Sequence, residues 1–291
     1  MITNAPPRPD FLRGVREYYD RNTPRFVRSH PSAMAKAIHR EVWGPETMTE
    51  REAFEYVNRL VLQEIDRRVD TSTGPCRVLD LGCGVGGTLF YLASRRSIVG
   101  VGVTLSPVGV RLAGEMARES GLGTSCHFLE TNYLELPDVG PQDAVYAIES
   151  FLHGPDPAAF FRSAAAVMSA GARLMVCDDF LTEEGDHPAG RVARRDLRDF
   201  RRGWHVGSLM TPDQARRHAL AAGLHPVSDQ DLTPWLKLQR PCDRTIGVFV
   251  TIGRVLPFRS PWWDSWVGGH AIQRCLLTGL IRYRFLVFEK P

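Results

Sequence analysis

The chain has 291 residues, 43% apolar and 24% charged, with 26 Gly and 20 Pro, which excludes a disordered, collagen-like or coiled-coil protein. Lys and Arg outnumber Asp and Glu by 36 to 33, and a net charge of +3 is too small for a nucleic-acid footprint by itself. No stretch reaches the roughly 18 to 20 consecutive apolar residues of a membrane span, and the opening MITNAPPRPD has no basic run leading into an apolar one, so a cytoplasmic location is expected.

Residues 8–20 and 50–67 carry apolar side chains at helical spacing, Phe11, Leu12, Val15, Tyr18 and Tyr19 in the first and Phe54, Val57, Leu60, Val61 and Ile65 in the second. They predict a helical cap over residues 1–70. From Arg77 onward short apolar runs alternate with helical stretches: RVLDLG, GGTLFYLASR, SIVGVGV, PVGVRLAGEMARES, CHFLE, DAVYAIE, PAAFFRSAAAVMSA, ARLMVCDD, TPDQARRHALAAG, LHPVSD and a final IRYRFLVFEK. Such alternation predicts an α/β domain over 71–291, a Rossmann-like doubly wound parallel sheet with helices on both faces. Two stretches break the rhythm, about 180–210 and 232–280, and both follow strand ends on the side where such sheets bind ligands. The six cysteines form no C-x-x-C pair and read as reduced thiols rather than zinc ligands or a disulfide framework.

The sharpest signal is Val78-Leu79-Asp80-Leu81-Gly82-Cys83-Gly84-Val85-Gly86-Gly87-Thr88, a buried strand running through a glycine turn into a helix. Glycines at Gly82, Gly84 and Gly86 let the backbone turn tightly and approach a ligand. A dinucleotide site needs an acid about twenty residues further on, and the second strand instead ends in Val103-Thr104-Leu105-Ser106. Asp80 just before the turn would repel a pyrophosphate and suits a cationic amino-acid ligand, which points to S-adenosylmethionine.

On these residues the chain resembles the class I S-adenosylmethionine-dependent methyltransferases, whose first motif reads hydrophobic-Leu-Asp-Leu-Gly-x-Gly-x-Gly. The resemblance implies seven strands with the last antiparallel, and cofactor contacts from Asp80, Gly82, Gly84 and Gly86. Thr104 in GVTLSP, where most of that class carry an acid, is similar to the sterol, tocopherol and cyclopropane-fatty-acid methyltransferases; some of those have a ribose-binding Gln where this chain has Gly109. Asn132-Tyr133 matches the segment that serves adenine, and Asn can also be a turn residue. Tyr19, in Arg16-Glu17-Tyr18-Tyr19-Asp20, resembles the Tyr-Tyr-Asp segment with which the subgroup closes its cofactor pocket, plain helix packing being the alternative.

For chemistry, the fourth strand ends in Ile148-Glu149-Ser150-Phe151-Leu152-His153, which places Glu149 at the ligand edge. A Glu there can accept a proton or stabilise a cationic intermediate, and the Glu-Ser pair resembles bacterial terpenoid C-methyltransferases that act on prenyl double bonds. His153 is a second catalytic candidate. Cys177-Asp178-Asp179-Phe180 ends the fifth strand, but adjacent strand residues point to opposite faces, so at most one carboxylate aims inward and no metal is expected. His39 and Trp43 in AIHREVWGP, Phe180, Trp204, and Trp262 and Trp263 in RSPWWDSWVGG are candidate walls for a hydrophobic acceptor. Arg191, Arg194, Arg195, Arg198, Arg201 and Arg202 form a basic stripe that fits an anionic head group or a solvated helix face.

The expectation is therefore methyl transfer to a carbon of a hydrophobic small molecule, a terpenoid or prenyl chain or an aromatic such as indole, with no nucleic-acid partner. Transfer to oxygen or nitrogen of an aromatic alkaloid, and a non-catalytic cofactor-binding protein, are the alternatives.

Overall fold

The computed structural model describes residues 10–29, 39–68, 74–253 and 261–291, with side chains for all of these except 25–29, 261 and 262. Seven strands form one sheet: β1 (Cys76–Leu81), β2 (Ile98–Thr104), β3 (Cys126–Glu130), β4 (Gln142–Ile148), β5 (Met168–Leu181), β6 (His225–Asp231) and β7 (Ile281–Glu289). Their order is β3-β2-β1-β4-β5-β7-β6. β1 to β5 pair in parallel, while β7 runs antiparallel to both β5 and β6. This is the expected seven-stranded arrangement. β1 and β4 are covered on both faces and are accordingly near-continuous apolar runs.

Before the sheet lie α1 (Phe11–Ser29) and α2 (Glu50–Asp66); between its strands lie α3 (Gly87–Ala93), α4 (Pro107–Glu119), α5 (Pro157–Val167), α6 (Glu183–Asp186), α7 (Gly190–Gly203) and α8 (Pro212–Ala221). Local chemistry fixes several starts. Ser106, Asp156 and Thr211 cap α4, α5 and α8 ahead of a proline in the first turn, and Thr49 with Glu52 forms a capping box on α2. One sheet face is packed by Val57, Val61, Leu89 and Phe90 against Val78 and Tyr146, the other by Phe160, Phe161 and Ala164 against Leu79, Val145 and Leu174.

Among its described residues the stretch 232–280, where the sequence breaks the strand–helix rhythm, includes α9 (Pro241–Gly253) and α10 (Pro261–Leu277). α10 lies along α7, burying Leu197, Phe200, Ala271 and Cys275. Gly203 and Gly268 allow this approach, since a Cβ on Gly268 would lie 2.8 Å from the Gly203 Cα. Among the described residues no helix is long and apolar enough to cross a membrane.

Strand order reverses between β1 and β4, because the chain steps outward through β2 and β3 before returning. Side chains at the carboxyl ends of these two strands therefore face a crevice that no crossover covers, the usual ligand position in such sheets.

Candidate active site

A cavity of about 460 Å³ occupies this crevice, walled by α1, residues 39–41, the glycine turn, the ends of β2, β4 and β5, and α9 and α10. Its size is within the range of small-molecule sites.

The floor is the glycine turn. Gly82, Gly84 and Gly86 have φ of 96°, 55° and 83°, values L side chains rarely adopt. A Cβ on Gly82 would also overlap the Ser150 side chain. Asp80, 4% exposed, lines the cavity just before the turn. Burial pushes its carboxyl up to about 7, with only the Tyr146 hydroxyl acting the other way. A buried acid short of partners, beside a backbone turn stripped of side chains, fits the amino-acid end of S-adenosylmethionine.

Thr104, Asn132 and Tyr133 line the same cavity. Thr104 Oγ1 accepts from the Ser106 amide at 3.2 Å, and the Ser106 hydroxyl donates to Asp20 Oδ1 at 2.5 Å, tying α1 to the start of α4. Asn132 Oδ1 accepts from the Leu134 amide at 3.1 Å, an Asx turn that leaves its amide N–H groups for other partners. Tyr133 donates to the Ser150 carbonyl at 2.8 Å and packs edge-on to Phe160.

Glu149 stands where β4 ends, with φ of 49°, a strained conformation for a non-glycine residue. Three donors converge on its Oε1: the Arg40 amide at 2.8 Å, Arg40 Nε at 3.2 Å and the Tyr283 hydroxyl at 2.9 Å. No bond falls on Oε2 among the described residues. Arg40 also grips Asp179 with both terminal nitrogens, at 2.9 and 2.5 Å, and stacks 4.4 Å over the Tyr283 ring. Asp178, on the opposite strand face, accepts from the Leu152 and Asp179 amides, so one carboxylate of the pair aims inward.

His153 follows in a short turn, Phe151–His153. Its Nε2 lies 2.8 Å from the Tyr19 hydroxyl and its Nδ1 lies 3.1 Å from the His205 carbonyl. Burial pushes its pKa down to about 4. His205, like Glu149, has positive φ, 48°.

Of the expected acceptor walls, His39 and Trp204 line the cavity. Phe180 does not: it is fully buried and stacks on Phe151, because strand alternation turns it away from the face that Asp179 shares with the cavity. Trp43 lies elsewhere too, donating to Glu41 at 3.0 Å under the Lys237 ammonium. Trp263 is wedged against Gly253 between α9 and α10, and the Trp262 side chain lies outside the described residues. The tryptophan that α10 brings to the cavity is Trp266. None of the six arginines of the α7 stripe lines the cavity. Arg40 belongs to the AIHREVWGP segment that the sequence marks as a pocket wall, although its pairing with Glu149 and Asp179 has no local signal, and neither has Tyr283.

The strand order and the glycine turn are those of the class I methyltransferase fold. Residues 72–192 match the methyltransferase domain family. In sequence the chain is similar to cycloartenol-C-24-methyltransferase 1 of Oryza sativa subsp. japonica, 26% identical over 188 residues, which are 62% of this chain and 54% of that protein. It thus spans about half the length of that relative. It is also similar to 27-O-demethylrifamycin SV methyltransferase of Amycolatopsis mediterranei, 28% identical over 202 residues, 69% of this chain and 71% of that one. In structure it is similar to geranyl diphosphate C-methyltransferase from Streptomyces coelicolor A3(2), solved with Mg²⁺, geranyl diphosphate and S-adenosyl-L-homocysteine, with a TM-score of 0.68, 15% identity, and 99% and 100% of the two chains covered.

Proposed function

We propose that the protein is an S-adenosylmethionine-dependent methyltransferase that methylates a carbon of a hydrophobic small molecule, a terpenoid or prenyl chain or an electron-rich ring such as indole. Glu149 carries the reading: Oε1 is fully engaged, and Oε2 has no partner among the described residues of a cavity walled by Leu12, Val15, Phe54, Trp204 and Trp266. The names of the cycloartenol and geranyl diphosphate enzymes support it.

S-adenosylmethionine supplies an electrophilic methyl group on a sulfonium. Asp80 and the glycine turn would hold its amino-acid end, and Thr104, Asn132 and Tyr133 its nucleoside, with Tyr19 closing over it. The apolar wall orients the acceptor and keeps water out, which matters because the main contribution to such a displacement is alignment. Glu149 offsets the positive charge left on the methylated acceptor and takes the proton when a neighbouring C–H bond gives up its electron pair to restore the double bond.

Transfer to oxygen or nitrogen is the second reading, favoured by the name of the rifamycin relative and by a neutral His153 next to Tyr19. The test is incubation with methyl-labelled S-adenosylmethionine and a panel of farnesol, indole, and geranyl diphosphate with Mg²⁺, together with calorimetry of S-adenosylhomocysteine binding. Binding and label transfer to a panel member are expected; a protein that binds neither S-adenosylhomocysteine nor S-adenosylmethionine would overturn the proposal.

A further inference from the structure

We propose that Arg40 is a positioning residue of the transfer site, fixing Glu149 so that one carboxylate oxygen stays tied down and the other faces the acceptor. The inference rests on the reading of Glu149 given above and goes beyond it, because Arg40 lies outside the methyltransferase domain match, in the segment that precedes α2.

Four contacts run from this one residue to the ends of two neighbouring strands. Its amide and Nε hold Glu149 Oε1, and its two terminal nitrogens hold the two oxygens of Asp179. The planar fork matches a carboxylate two bonds at a time, and its remaining edge N–H reaches the second acid, a geometry that an ammonium cannot reproduce. Tyr283 completes the frame from β7, its ring under the guanidinium and its hydroxyl on the same Oε1.

Glu149 needs such a frame. Its backbone is held at positive φ, which persists only where surrounding contacts over-determine it. Glu149 and Asp179 are also like charges at adjacent strand ends, and the guanidinium between them is the cation that both contact. Without it the two acids repel, and Glu149 is free to swing. Because Arg40 is delivered by residues 39–49 and not by the sheet, the carboxylate is in place only when that segment lies across the strand ends. Assembly of the site is thereby coupled to docking of the N-terminal part.

A crystal structure of Arg40→Gln with S-adenosylhomocysteine tests this without an acceptor. Glu149 is expected to leave the Tyr283 hydroxyl and relax to negative φ, while affinity for S-adenosylhomocysteine stays within about threefold of native. With farnesol, indole or geranyl diphosphate, whichever is turned over, kcat should fall about 30-fold or more with little change in KM. Arg40→Lys should recover only a small part. In the double variant with Glu149→Gln, Arg40→Gln should cost almost nothing further, because both changes remove one function. A Glu149 that stays in place in Arg40→Gln, or losses that multiply in the double variant, would overturn the proposal. Should Arg40→Gln not fold, Arg40→Lys is crystallised in its place, with the same expected displacement. If Glu149→Gln alone is as fast as native, it is the proposed function that fails, and the crystal structure still decides the role of Arg40.

Discussion

The Tyr19 hydroxyl and His153 Nε2 lie 2.8 Å apart where α1 meets the turn after β4. Since the His205 carbonyl opposite Nδ1 can only accept, the ring proton belongs on Nδ1 and Nε2 accepts from Tyr19. This bond ties the N-terminal helix to the site. Tyr19→Phe leaves a buried ring nitrogen without its donor and should destabilise the protein by about 1 to 3 kcal/mol. Urea denaturation at pH 7.5 measures this, and an unchanged midpoint and slope would contradict the assignment.

Asp80 gives a pH-dependent prediction. Its folded value, about 7, is above the ordinary carboxylate value of 3.8, so the folded state holds a proton that the unfolded state has lost between those two pH values. Ligand-free stability therefore falls as pH rises from about 4 to 7, and the cost is complete above pH 7. Asp80→Asn removes it. The variant should melt at a higher temperature than native at pH 8 and close to native near pH 4.5, while binding S-adenosylmethionine far more weakly. A gain in melting temperature that is the same at both pH values would argue against a buried, proton-linked Asp80.

The glycine turn predicts a backbone effect. Gly82→Ala forces an L side chain to φ of 96° and against Ser150, and strain of this kind costs about 1 to 3 kcal/mol before any steric overlap is counted. Calorimetry should show a loss of S-adenosylhomocysteine binding larger than that caused by Cys83→Ala, whose backbone needs no such freedom. Equal losses in the two would contradict the steric account.

How much of this was legible in the sequence depended on the range of the signal. The β1 strand, the glycine turn and Asp80 lie within ten residues of one another, so their local pattern carries the information. Glu149 was readable because an apolar strand ends beside it. Its frame was not, since Arg40 lies 109 residues from Glu149 and 139 from Asp179, and no periodicity reports pairings of that span. Phe180 was misplaced by one step of strand alternation, which turns neighbours to opposite faces. Among the tryptophans, helical phase decides: Trp266 reaches the cavity and Trp263 packs between helices, a distinction that required knowing that 261–277 is a helix.

Transfer of a methyl group to carbon, with Glu149 facing the acceptor, can be read by NMR of the product formed from ¹³C-methyl S-adenosylmethionine by the native and Glu149→Gln enzymes. A new C–CH₃ signal is expected, upfield of any O–CH₃ or N–CH₃ resonance, formed about 10²-fold or more slowly by Glu149→Gln at unchanged S-adenosylmethionine affinity. A label found on oxygen or nitrogen, or a Glu149→Gln enzyme as fast as native, would contradict it.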